Sequence, residues 1–235
     1  VVARLLASFD AEGYQRVRPP LIEFEEGLLS GAGVAMSGDT FRLMDPESQR
    51  MMGVRADITP QAARIALTRL RSAPRPLRLS YAGEVLRVRG TQFRPERQLS
   101  QVGAELIGSA APAADAEIIV LAADALAGLG IEGLSVDLTV PRLVPSVCAA
   151  AGIAYQSMAV LRQALDRKDA PAVAANGGRA AGILEEFLCA TGPAEAALAR
   201  LDGLDLPSEA AAERTRLAQV MALVHARAPG LKLTL

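Results

Sequence analysis

The most constraining stretch of the chain runs from Leu77 to Ile107. Leu77, Leu79 and Tyr81 alternate with Arg78 and Ser80, and strand-like sequence continues from Glu84 to Arg89. A polar loop at Gly90–Glu96 follows, and Arg97–Ile107 returns as a second strand-like run. Period-two alternation marks a strand with one buried face, and two such runs around a polar loop predict a long antiparallel hairpin. Residues of equal parity on a strand share a face. Arg87 and Arg89 therefore lie together, as do Gln101, Gly103 and Glu105 on the returning strand. Arg87 facing Glu105 can be a cross-strand ion pair or part of a ligand pocket; Gly103 leaves room beside them.

The remainder supplies flanking elements. Val1, Val2, Leu5, Leu6 and Phe9 have helical spacing, stopped by Gly13. Tyr14–Val17 reads as a short strand running into Pro19 and Pro20. Residues 27–38 are rich in Gly and Ser and read as a mobile loop. Residues 40–44 and 51–55 form a strand pair. Thr59 and Pro60 open a helix that reaches about Ser72. Residues 115–129 read as a helix and 134–140 as a strand. From Pro141 the pattern becomes Ala-rich and helical, broken by glycines and prolines. The expected fold is α+β: an antiparallel sheet flanked by helices over residues 1–140, a helical insertion over 141–230, and a returning core strand at 231–235. Helical sequence at Val1 and alternation that stops at Leu235 give both ends the look of cuts.

Composition narrows the function classes. The net charge is -1, which gives no global reason for nucleic-acid or membrane binding. Charge is nevertheless uneven: Arg50–Arg97 holds eleven Arg against Asp57, Glu84 and Glu96. Clustered guanidinium groups suit carboxylates and phosphates, although a solvated basic face would read the same way. Cys148 and Cys189 lie in apolar helical sequence away from the one His, so both are expected in packing and no metal or redox site is expected. No apolar run is long enough for a membrane span and no signal-peptide pattern opens the chain, so a cytoplasmic protein is expected.

Three stretches in order carry a family resemblance. Residues 13–23 look like motif 1 of class II aminoacyl-tRNA synthetases, which forms the dimer interface of those enzymes. Residues 55–64, Arg-Ala-Asp-Ile-Thr-Pro-Gln-Ala-Ala-Arg, resemble the R-P-E/D-x-T signature of the histidyl enzymes. Residues 81–108 look like their motif 2. The resemblance spans about residues 1–140 and implies a class II synthetase-like fold and a homodimer. It gives Asp57, Thr59, Gln101 and Glu105 the role of holding an amino acid, chiefly its ammonium group. It gives Arg87, with Arg97, the role of gripping a phosphate or other anion.

The departures from that pattern bear on activity. Where the synthetases place an adenine-reading Glu two residues after the first motif 2 Arg, this chain has Arg89. The histidine-specific segment, motif 3 and an anticodon-binding domain find no match. The sequence is most similar to the non-aminoacylating branch that serves as regulatory subunit of ATP phosphoribosyltransferase. That branch implies a short catalytic subunit as partner, histidine as effector, no cofactor, no tRNA and no catalysis by this chain. The alternatives are a fragment of a true histidyl-tRNA synthetase or another amino-acid-binding paralogue.

Overall fold

The computed structural model describes residues 1–235, apart from the side chain of Tyr155. The chain divides into two compact units, residues 1–110 with 124–130, and residues 111–123 with 131–235.

The first unit is built on the hairpin. Strands β5 (Leu77–Leu86) and β6 (Gln98–Ile107) pair antiparallel, with Leu77 opposite Ile107 and Leu86 opposite Gln98. Strand β1 (Gln15–Arg16) adds to the other edge of β5 in parallel, so the 14–17 segment finds a partner within the same chain. Helix α3 (Thr59–Leu67) covers one face: Ile58 and Ala62 pack on Tyr81 and Val85, and Ala66 on Leu77 and Leu79. Helix α1 (Val2–Ala11) brings Phe9 to within 6.5 Å of the Tyr14 ring. A second sheet has β4 (Met51–Val54) between β2 (Ile22–Phe24) and β3 (Phe41–Met44), antiparallel to both.

Three local expectations are corrected. Residues 27–38 are not an irregular loop. They contribute to a short helix, α2 (Glu25–Leu28), and a 3-10 helix at Gly31–Asp39, because Leu28 is buried and Gly33 lets its backbone approach the Leu28 carbonyl. Helix α3 ends at Leu67 rather than Ser72; the Thr68 hydroxyl donates to the Arg64 carbonyl as the chain leaves helical geometry. Strand β5 ends at Leu86 rather than Arg89. One further pairing bond runs from Arg87 N–H to the Arg97 carbonyl at 2.7 Å, and then Val88 N–H turns away to the Asp39 carbonyl at 3.0 Å.

The second unit is helical. Its core includes Val147, Leu161, Val173, Leu184, Leu201 and Val224, all buried, contributed in that order by α5 (Leu143–Ala150), α6 (Tyr155–Asp166), α7 (Ala170–Asn176), α8 (Ala181–Cys189), α9 (Ala194–Asp202) and α10 (Ser208–Arg227). The expected division at residue 141 differs from this arrangement. Strand β7 (Ser135–Asp137) pairs in parallel with β8 (Lys232–Thr234), and Val136 and buried Leu233 pack into the helical core. Helix α4 (Pro112–Ala127) sends Ala116 and Val120 into that core as well. Apolar contacts, rather than the change to Ala-rich composition, thus set where this unit begins. Cys148 is buried as expected, whereas Cys189, the last residue of α8, is exposed. Among the described residues no helix is long and apolar enough to cross a membrane.

Candidate functional site

Four of the six expected site residues come together beneath the start of α3. The segment Arg55–Thr59 leaves β4 and turns into that helix over the odd-numbered face of the hairpin. Asp57 Oδ1 accepts the Thr59 N–H at 2.9 Å, closing the turn that starts the helix. It also accepts Gln101 Nε2–H at 2.8 Å, while Gln101 Oε1 accepts the Ile58 N–H at 2.9 Å. One strand side chain therefore clamps both the carboxylate and the backbone of the turn. Two residues along α3's approach, Thr59 Oγ1 lies 2.7 Å from the Tyr81 hydroxyl, which donates to Glu105 Oε1 at 3.1 Å.

Tyr81 is the member that sequence reasoning missed. Alternation places it on the buried face, and a buried phenol needs a polar partner, which is the signal that points to its role. Its register partner is Gly103, and a Cβ at 103 would lie 2.5 Å from the Tyr81 ring. Gly103 therefore makes room for this ring, not directly for a ligand. Burial pushes the Tyr81 hydroxyl up to about 12; the Thr59 hydrogen bond works against this, and the Glu105 and Asp57 charges add to it. Burial also raises the Glu105 carboxyl above its ordinary range, opposed by the Tyr81 and Thr59 hydroxyls and reinforced by the Asp57 charge.

The Arg87–Glu105 pair does not form. Glu105 stands opposite Leu79, and Arg87 lies beyond the paired strands beside Arg97. At 3.3 Å per residue, Arg97 and Glu105 are roughly 26 Å apart along the strand. Both arginines are exposed; Arg97 Nη1 donates to the Val88 carbonyl at 3.4 Å and its guanidinium lies 5.3 Å from the Phe41 ring centre. Among the described residues no cationic side chain is ion-paired with Asp57 or Glu105. The site thus gathers two carboxylates, an amide and two hydroxyls in a half-buried volume, an arrangement that favours a cationic guest.

A supporting layer lies behind it. Buried Arg55 donates Nε–H to the Glu84 carbonyl at 2.8 Å and Nη1–H to the Pro19 carbonyl at 2.7 Å. A Cβ at residue 83 would fall 2.1 Å from its guanidinium, so Gly83 is needed for this arginine to fit. Burial lowers the Arg55 pKa, with Glu23 and Glu84 opposing the shift. Gln61 donates to the Pro20 carbonyl and to Glu23, each at 2.9 Å, and Glu23 is ion-paired with Arg64.

The hairpin, the motif 1-like segment tied to it by Arg55, and the cradle under α3 define a class II aminoacyl-tRNA synthetase-like fold. A structure described as an ATP phosphoribosyltransferase regulatory subunit/histidyl-tRNA synthetase from Bacillus halodurans shares it, with a TM-score of 0.83 at 22% identity over 98% of this chain and 61% of that one. The chain belongs to the histidyl-tRNA synthetase family, whose profile matches residues 1–235. It is 58% identical over 235 residues to the ATP phosphoribosyltransferase regulatory subunit of Rhodospirillum centenum, covering all of this chain and 61% of that protein. It is 60% identical over 234 residues to the protein of the same name from Paramagnetospirillum magneticum, covering all of this chain and 62% of that protein. The chain therefore spans about three fifths of the length of these curated relatives.

Proposed function

We propose that the chain forms part of a cytoplasmic ATP phosphoribosyltransferase regulatory subunit, acting without catalysis of its own on a short catalytic subunit and conveying histidine feedback to it. Identity near three fifths over the whole chain to proteins of that name supports the assignment. The observation that carries its mechanism is the carboxylate pair Asp57 and Glu105, set by Gln101, Tyr81 and Thr59 and lacking a protein cation among the described residues. An α-ammonium group would supply the missing charge. Arg89, exposed at the hairpin end where the synthetases use a Glu to read adenine, argues against aminoacyl transfer and a tRNA partner. The motif 1-like segment would join two copies into a homodimer.

Reconstitution tests this reading. Added to a short catalytic subunit, the chain in its full-length gene product should raise phosphoribosyl transfer and make it sensitive to histidine. The same protein with ATP, Mg²⁺ and histidine should catalyse no pyrophosphate exchange. Robust exchange would instead favour the synthetase alternative.

A further inference from the structure

The two carboxylates of the cradle are held by different kinds of partner. Asp57 Oδ1 meets two N–H groups, that of Thr59 at 2.9 Å and that of Gln101 at 2.8 Å. The Ile58 N–H, 2.9 Å from Gln101 Oε1, fixes which end of the amide faces Asp57, since a backbone N–H can only donate. Neither contact can reverse, so a hydrogen on Asp57 Oδ1 would break both. Glu105 meets hydroxyls instead: Tyr81 at 3.1 Å and, one step further, Thr59 at 2.7 Å from Tyr81. A hydroxyl can donate or accept. With Glu105 ionised, the hydrogens point from Thr59 to Tyr81 to Glu105. With Glu105 protonated, they can run the other way along the same contacts.

The cations on the neighbouring elements are engaged elsewhere. Arg64 of α3 is ion-paired with Glu23. Arg55 turns its guanidinium to the Glu84 and Pro19 carbonyls, and the charges that bear on it are Glu23 and Glu84. On β5, Arg78 and Glu84 have even numbers and lie on the face turned away from Tyr81; α1 packs beside Ser80 on that same face. Glu105 is the one ionisable residue of β6. The titratable groups facing it are therefore Asp57, whose charge disfavours a second one, and Tyr81, whose hydroxyl favours it. Burial outweighs the hydroxyls and holds the Glu105 carboxyl above its ordinary range.

Granted the amino-acid role given to the cradle above, on which this rests, we propose that the empty cradle carries a proton on Glu105 in place of a cation, and that a guest with N–H hydrogens on a positively charged nitrogen displaces it. As the ammonium group enters, the Glu105 O–H bond breaks and the proton passes to solvent. The ionised carboxylate then accepts a hydrogen bond from the guest, and no covalent bond forms to it. Empty, the carboxylate pair carries one negative charge, that of Asp57. Filled, two carboxylates and one ammonium again leave one. The half-buried volume thus never holds two uncompensated charges, which is the costly state. Tyr81 and Thr59 are positioning residues that keep Glu105 in place in either proton state.

Carbon NMR of the full-length gene product with labelled glutamate carboxyls follows Glu105 directly, its resonance being the one lost in Glu105→Gln. In the empty protein this resonance should titrate above 4.5, the ordinary value. Methylammonium, which keeps its charge throughout, should lower the midpoint, binding about tenfold more tightly to the ionised site than to the protonated one. Tetramethylammonium, of the same charge but without N–H, should leave it unchanged. Tyr81→Phe should raise the midpoint of the empty protein, because a hydroxyl that favours the charge is gone; a packing role alone would leave it where it was. An empty-state midpoint at or below 4.5, a midpoint that methylammonium does not move, or an equal response to tetramethylammonium would each overturn the proposal. Histidine should act as methylammonium does. If methylammonium moves the midpoint and histidine does not, the charge exchange stands and the amino-acid role of the cradle falls.

Discussion

Glu105 is the residue on which the site's charge turns. Glu105→Gln keeps shape and removes one negative charge, so it should weaken histidine binding by about 1.5–3 kcal/mol, the range for a hydrogen bond to a charged group. Calorimetric titration of both proteins at neutral pH would measure it, and equal affinities would place the amino acid elsewhere. The pH dependence follows from the raised carboxyl. The folded chain holds this proton more tightly than the unfolded chain, whose Glu ionises near 4.5. The group's stabilising contribution is complete below that value and is lost as pH rises through the folded pKa. Wild-type stability should therefore decline relative to Glu105→Gln above pH 4.5, as read by urea denaturation at a series of pH values. Gly103→Ala tests the Tyr81 seat: the added methyl collides with the ring and should cost about 1–3 kcal/mol, with a matching fall in thermal midpoint. Asp57, Thr59, Gln101 and Glu105 were legible in the sequence because the motif match fixed their order, and for Gln101 and Glu105 parity fixed their common face. Tyr81 was not singled out, because alternation marks it as core and says nothing of what its hydroxyl meets.

At the scale of elements, the hairpin was the most legible part, since period-two patterning survives wherever one face is buried. Its end was less so. Parity alone allowed Arg87 to face Glu105, but parity does not set register. Register follows from where the loop closes, and closure at Arg87–Arg97 displaces the arginines from the carboxylates along the strand. The glycine-rich 27–38 segment misled in another way. Its glycines serve close packing, as at Gly33 against the Leu28 carbonyl, and such an approach is invisible in composition. Gly83 has the same character: its missing side chain is the space occupied by Arg55. Gly83→Ala should accordingly destabilise the chain by about 1–3 kcal/mol despite lying in a strand, where alanine would otherwise be neutral or better. Guanidinium denaturation would decide; a stabilised variant would mean that Arg55 can move aside.

Over the whole molecule, the helical half was legible as class but not in extent. Ala-rich sequence announced helices after Pro141, whereas β7, β8 and the first part of α4 join that unit through contacts that no local pattern encodes. Its stability should rest on the fully buried leucines. Leu161→Ala should cost about 2–5 kcal/mol, seen as a shift of the far-ultraviolet transition to lower denaturant. In the hairpin unit the buried guanidinium of Arg55 has a temporal consequence. Its bonds to the Glu84 and Pro19 carbonyls link residues 29 and 36 positions apart. Each bond forms only once its own intervening loop has closed, and the full set only once both have, so the arginine completes an assembly rather than seeding it. An Arg55→Lys chain, which loses the planar fork, should refold at nearly the wild-type rate and unfold faster. The side chain then acts as a latch, setting how long the native state lasts more than how quickly it is reached.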